Sequence, residues 1–149
     1  MLNKIVGKLL KTGTLLAITL LIATVLLQIF ARFFLSSAPP WTEEVSRLFF
    51  IYAVTFAAAL AFKSNYFIYV DMLYNKVNNT VKRILNLIVY LVTLLLFMVL
   101  SVTAIGFVKM GIAEQSPSLG VNMGIAFSSI FLLAVFMCYY LVQKLMKFK

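Results

Sequence analysis

The stretch Pro39-Pro40-Trp41-Thr42-Glu43-Glu44-Val45-Ser46-Arg47 runs directly into the apolar segment Leu48 to Phe62, so charge, turn chemistry and membrane depth meet at one junction. Two successive prolines cannot continue a helix, because each lacks an N–H and pushes the residue before it into an extended conformation; the chain therefore breaks here and restarts. Thr42 is expected to cap the restarted helix, with Glu43 and Glu44 in its first turn, where the positive end of the helix dipole favours carboxylates. Arg47 follows four residues after Glu43 and three after Glu44, on one helix face and within pairing reach. The uncharged run Leu48 to Phe62 is about 22 Å long at the α-helical rise, against about 30 Å of hydrocarbon. The flanking charges must then dip toward the bilayer edge, where they snorkel, pair or face other protein.

Composition points the same way. With 149 residues, 64% hydrophobic and 11% charged, the chain is an integral membrane protein, since soluble domains hold about 45–50% apolar residues. The net charge of +9 comes from thirteen Lys and Arg scattered between long apolar runs. They form no single basic patch, which argues against a nucleic-acid partner and for a topology signal. The single cysteine, Cys138, excludes a disulfide framework, and the absence of histidine removes the usual haem ligand, most zinc sites and the commonest general base. An enzyme is a poor reading of such a chain, and no cofactor or metal ligand set is expected within it.

Working outward from the junction, four spans are expected, making an all-α integral membrane protein of one domain, residues 1–149. The first runs from about residue 12 to 35, the second from 42 to 63, the third from 83 to 109 and the fourth from 121 to 145. The N-terminal lysines and apolar stretch look like a signal peptide, but Thr12 to Ala31 is twenty uncharged residues, long enough to span, and Ser36-Ser37-Ala38 before Pro39 is a poor cleavage site. An uncleaved first helix follows. Ahead of it, Lys4, Lys8 and Lys11 oppose Ile5, Val6, Leu9 and Leu10, as in an amphipathic lead-in on anionic membrane lipids or a cytoplasmic extension of the helix.

In that first helix Ala17, Thr24, Gln28 and Arg32 recur at helical spacing, and Gln28 would be unsatisfied in lipid, so this stripe is expected to face protein, either within the chain or in another subunit. In the second, Ala53, Ala57 and Ala61 fall at four-residue intervals, a close-packing face whose partner can belong to the same chain. Residues from about 65 to 79 are too polar to span, yet Phe67, Val70, Leu73, Tyr74 and Val77 keep helical periodicity, giving an interfacial amphipathic helix in preference to a solvated loop. Asn86, Tyr90, Thr93, Ser101 and Ala104 make a second polar seam on the third helix, and Gly120 with Gly124 forms a weak GxxxG at the entrance of the fourth.

Orientation follows from the basic residues. With both termini cytoplasmic, the inner side holds Lys4, Lys8, Lys11, Lys63, Lys76, Lys82, Arg83, Lys144, Lys147 and Lys149, against Arg32, Arg47 and Lys109 outside. That is a strong positive-inside bias. No Asp or Glu lies in the middle of any span, and Pro39, Pro40 and Pro117 all fall in outer loops, so there is no broken helix and no midplane coupling site for a transporter working alone. Nor is there a selectivity filter or a ring of pore charges. The residues suit an accessory surface better than a conduit.

Three motifs now carry a resemblance. Trp41-Thr42-Glu43-Glu44 with Arg47 is similar to the W-x-E-E-x-x-R opening of helix two in the small, Q-type membrane subunit of tripartite ATP-independent periplasmic (TRAP) transporters. Phe67-Ile68-Tyr69-Val70-Asp71 resembles that family's H-I-x-V-D, and Gln115-Ser116-Pro117-Ser118-Leu119-Gly120-Val121-Asn122-Met123-Gly124 resembles its Q-x-S-P-A-L-x-I-P-M. The sequence departs from the pattern at Phe67, where the family often has His, at Ala58 near a common Gly, and at Phe127 in place of a frequent Tyr. Packing roles carry over; roles needing the imidazole or phenol do not.

The resemblance implies an inner-membrane subunit that braces a large M-type subunit, which moves an organic anion of the dicarboxylate or sialic acid class inward with sodium after a periplasmic binding protein delivers it. Sodium would belong to the partner subunit. Carried over residue by residue, Trp41, Glu43, Glu44 and Arg47 would anchor the outer end of helix two, Asp71 would fix the interfacial segment, and Ser116 and Pro117 would shape the outer loop. With Arg32, Ala53, Ala57 and Ala61, these are the candidate interface or docking residues; the alternative is a local cap or turn for the motif residues and packing within the same chain for Arg32 and the alanines. A different class, the small homodimeric multidrug exporter, needs a membrane-embedded Glu in helix one, where this chain has Gln28.

Overall fold

The computed structural model describes residues 2–34, 39–64 and 78–147. They form four helices: α1 Leu2–Phe34, α2 Trp41–Lys63, α3 Asn79–Ala113 and α4 Gly124–Met146. Each is long and apolar enough to cross a membrane. Hydroxyl residues inside them turn back on their own helix, Thr14, Thr19 and Thr24 donating to the carbonyls of Leu10, Leu15 and Leu20 at 2.7–2.8 Å, which satisfies them within an apolar span.

The start of α2 differs from expectation. The helix begins at Trp41, with Pro40 in the cap position and no side-chain cap; the Thr42 hydroxyl donates to the Pro39 carbonyl at 2.7 Å, and the residue is fully buried. Thr42 is thus no N-cap, because proline, with no N–H to satisfy, enters the helix one residue earlier than the hydroxyl pattern suggested. The lysine-bearing N-terminus and the first span are one continuous helix. Of the interfacial segment expected over 65–79, residues 65–77, Asp71 among them, lie outside the described residues; Asn78 caps α3 by accepting from Asn79 N at 2.8 Å.

The helices lie in the spatial order α1, α2, α4, α3: α1 packs along α2, α3 along α4, and the two hairpins join through α2 and α4. On α1 the residues withdrawn from the surface include Gly7, Leu10, Ala17, Thr24, Gln28 and Ala31, a strip that meets its one extensive neighbour, α2. The polar stripe therefore packs inside the chain, except that Arg32 is exposed and Ala31 ends the strip. Small residues allow the approach: the Lys63 ammonium covers Gly7, and a Cβ on Gly13 would stand 3.0 Å from the Phe56 ring. On α2 the fully withdrawn alanines are Ala53 and Ala59, while Ala57 and Ala61 are half-buried. The seam Asn86, Tyr90, Thr93, Ser101 and Ala104 is likewise the withdrawn side of α3.

The buried core sits toward the Lys63 end, where Leu10, Ala59, Phe62, Met137, Tyr140 and Leu141 cluster, with Tyr90, Leu94 and Phe97 of α3 against them. The Lys144 ammonium lies 4.0 Å from the Phe62 ring centroid and 5.7 Å from that of Tyr90, joining α2, α3 and α4. At the other end Gly111 and Gly124 lie close together: a Cβ on Gly111 would lie 2.7 Å from Gly124 N. The operative small pair thus spans two helices, while Gly120, with φ 63°, serves as a left-handed turn residue. Replacing Gly111 by Ala should lower the thermal midpoint in detergent markedly, since backbone must move, whereas Gly106→Ala, which meets nothing within 4 Å, should stabilise by about 0.5–1 kcal/mol.

Candidate functional site

The loop between α3 and α4 folds back on itself. Ser116 N donates to Val121 O at 2.8 Å, Gly120 N to Ser116 O at 2.9 Å and Met123 N to Glu114 O at 3.0 Å, with Gln115 and Asn122 bridged antiparallel. Asn122 ties both neighbouring helix ends, its Nδ2 donating to Ile112 O at 2.8 Å and its Oδ1 accepting from Gly124 N at 2.8 Å. This turn leaves the N–H groups of Ser118 and Leu119 pointing away from the loop's own carbonyls. They donate to the Glu44 carboxylate at 3.1 and 3.0 Å, and the buried Ser116 hydroxyl donates to the same group. A charged acceptor on two amides and a hydroxyl is a strong arrangement. It ties the first turn of α2 to a loop more than seventy residues away.

Below the clasp, a polar seam continues between α2 and α4. The Tyr52 hydroxyl donates to Ile125 O at 2.8 Å and lies 2.7 Å from Ser128 Oγ, and Thr55 Oγ1 donates to Ser129 O at 3.3 Å. Beside this seam runs a groove of about 710 Å³, lined by Leu48, Ile51, Val54, Ile125, Ile130 and Leu133, with Glu44 and Arg47 at its end.

The junction's other residues face outward. Arg47 Nη2 meets Glu43 Oε1 at 3.0 Å, with the two side chains 69% and 66% exposed. Such an open pair is weak as a stability element and available to a neighbour. Trp41, Pro117 and Arg32 are exposed as well. Of the two acids in one helix turn, the structure therefore binds Glu44 internally and leaves Glu43 at the surface. Glu44 and Ser116, singled out separately in the sequence, are brought together. Tyr52, Thr55, Ser128, Ser129 and Asn122 were not singled out, although polar groups inside apolar spans signal that each needs a partner.

Residues 21–148 match the family of tripartite ATP-independent periplasmic transporters, DctQ component. The chain belongs to this family. A Haemophilus influenzae protein named as a TRAP transporter small permease is 23% identical over 119 residues, covering 80% of this chain and 72% of that protein. The small-permease family expected from the sequence is thereby shown, and the multidrug-exporter alternative is not favoured. The DctQ chain is a multi-pass protein of the bacterial inner membrane and a component of a transport system.

The geometry makes a direct test. Glu44→Ala should lower the thermal midpoint in detergent and open the 116–120 loop to limited proteolysis, while Glu43→Gln, at an exposed position, should leave both near those of the unaltered protein.

Proposed function

We propose that this DctQ chain is the accessory small permease of a sodium-coupled TRAP transporter, bracing the large membrane subunit and contributing to docking of the periplasmic binding protein. The observation that carries the reading is the state of the groove: its carboxylate, Glu44, is held by Ser116, Ser118 and Leu119 of the same chain. A group so engaged stiffens a wall and is not free to bind and release a solute or a coupling ion. The chain's other acids, Glu43, Asp71 and Glu114, lie outside the uncharged runs of the helices. The cargo-binding and sodium chemistry then belongs to the partner subunit, and no cofactor is assigned to this chain.

Shape supports the same role. The helices α1 and α3 each have one extensive helical neighbour, and α3 has just two buried residues among its thirty-five, Ala104 and Gly111. Much apolar surface is thus left for lipid and a larger membrane subunit. The topology proposed has both termini cytoplasmic. Lys4, Lys8, Lys63, Lys82, Arg83, Lys144 and Lys147 then fall at the inner end, and Trp41, Glu43, Arg47, Glu114 and the Ser116–Gly120 turn at the periplasmic end, where a binding protein delivering an organic anion would dock.

Co-expression with the large subunit of its own system provides the test. The tagged chain should retain the large subunit through purification, and the combined substitution of Trp41 by Ala and of Glu43 and Arg47 by Gln should weaken that retention without changing the thermal midpoint of the isolated chain. Vesicles holding both subunits, supplied with the binding protein, should accumulate solute with a sodium gradient. Uptake by vesicles holding this chain alone would overturn the proposal.

A further inference from the structure

The uncharged stretches of the four helices are not level with one another. Contacts between neighbours fix their registers: on α1 and α2, Gly7 is level with Lys63 and Gly13 with Phe56. On α2 and α4, which run in the same direction, Tyr52 meets Ile125 and Ser128, and Thr55 meets Ser129. On α4 and α3, Gly124 abuts Gly111, the Phe127 and Phe107 rings lie 6.4 Å apart, and Lys144 approaches Tyr90.

The uncharged runs are Thr12–Ala31 on α1, Leu48–Phe62 on α2, Gly124–Gln143 on α4 and Ile84–Val108 on α3. Carried along these registers, the centre of the run shifts in one direction at every step across the layer, by about 6 to 10 Å and on average about 8 Å from each helix to the next. Helix axes in contact stand about 8–10 Å apart, so the runs climb at about 40° to the layer's cross direction. Were the helices upright, the four runs would share a slab only about 8 Å thick, about half the depth of about 16 Å that they share when inclined by that angle.

We infer that the four-helix layer crosses the bilayer obliquely, its helices inclined by about 40° within the plane of the layer, so that lipid hydrocarbon bathes two opposite corners, the last turns of α1 and the first turns of α3. At that inclination the short uncharged run of α2 falls wholly within the depth of the other three, and lysines and arginines at the edges reach the headgroups by snorkelling. The two corners fit the assignment. Leu26, Ile29, Phe30 and Phe33 of α1 are exposed where α2 already carries Glu43, and Ile84, Leu87 and Ile88 of α3 are exposed beyond the level of Lys144. An upright layer would hold one of these corners in water. The inference stands on registers and charge positions and does not depend on the proposed bracing role.

Two pairs of exposed residues separate the alternatives. Ile22 of α1 and Ile112 of α3 are level along the helix axes, as are Ile5 of α1 and Leu95 of α3, and all four are exposed. In the full chain carrying Cys138→Ser, single cysteines at these positions bear a nitroxide, and the protein is placed in phospholipid vesicles. Depth is read from relaxation by oxygen against a water-soluble nickel complex. The labels at 22 and 95 should read deep and those at 112 and 5 shallow; equal depths within each pair overturn the inference. Polarised infrared spectroscopy of the unaltered chain in oriented bilayers is the second measurement. A mean helix tilt above about 30° is expected, well beyond the usual mean of about 20°, and any smaller tilt overturns the inference.

Discussion

The bond between the Glu44 carboxylate and the Ser118 and Leu119 amides is the constraint on which the rest of the architecture depends. The tight turn presents N–H groups that its own backbone does not satisfy, and an ionised carboxylate is a stronger acceptor for them than a neutral group. The carboxylate at the start of α2 satisfies two of them together with the Ser116 hydroxyl. Because the turn leads through Asn122 directly into Gly124, fixing it also fixes where α4 begins relative to α2. The Tyr52 and Thr55 bonds then fall into register along the same pair of helices. Two hairpins, each closed by small residues, thereby become one layer.

That dependence explains which parts of the fold were legible in the sequence. Hydropathy marked four spans because each apolar run is long, and the polar stripes of α1 and α3 were legible because a residue such as Gln28 or Asn86 cannot face lipid unsatisfied. The Pro39-Pro40 break was equally plain. Less plain was the fine chemistry of the break: Thr42 carries a good capping side chain, but proline tolerates the cap position and the helix started earlier. The GxxxG spacing was a weak signal, and the structure gives its two glycines separate tasks: Gly120 answers a need for positive φ and Gly124 a need for room against Gly111.

The candidate site was harder to read, because its decisive pair is separated by so much chain. Glu43 and Glu44 are chemically identical neighbours, and periodicity cannot tell which one turns toward the loop. Only the tertiary arrangement assigns Glu44 to the clasp and Glu43 to the exposed pair with Arg47. The result is a division within one helical turn: one acid holds the chain together, and the other, with Trp41 and Arg47, is left at the surface where the proposed docking would take place. A flat layer with one extensive neighbour for each flanking helix has little interior in which to carry a solute. It has broad faces, as the accessory role proposed for this DctQ chain requires.

Hydrogen exchange at the amides of Ser118 and Leu119 tests the central claim most directly. In the unaltered protein both amides should be protected, and Glu44→Ala should bring them to loop-like exchange while the helical amides around Gly7 and Phe56 keep their protection. Unchanged protection of Ser118 and Leu119 in the Glu44→Ala protein would contradict the account.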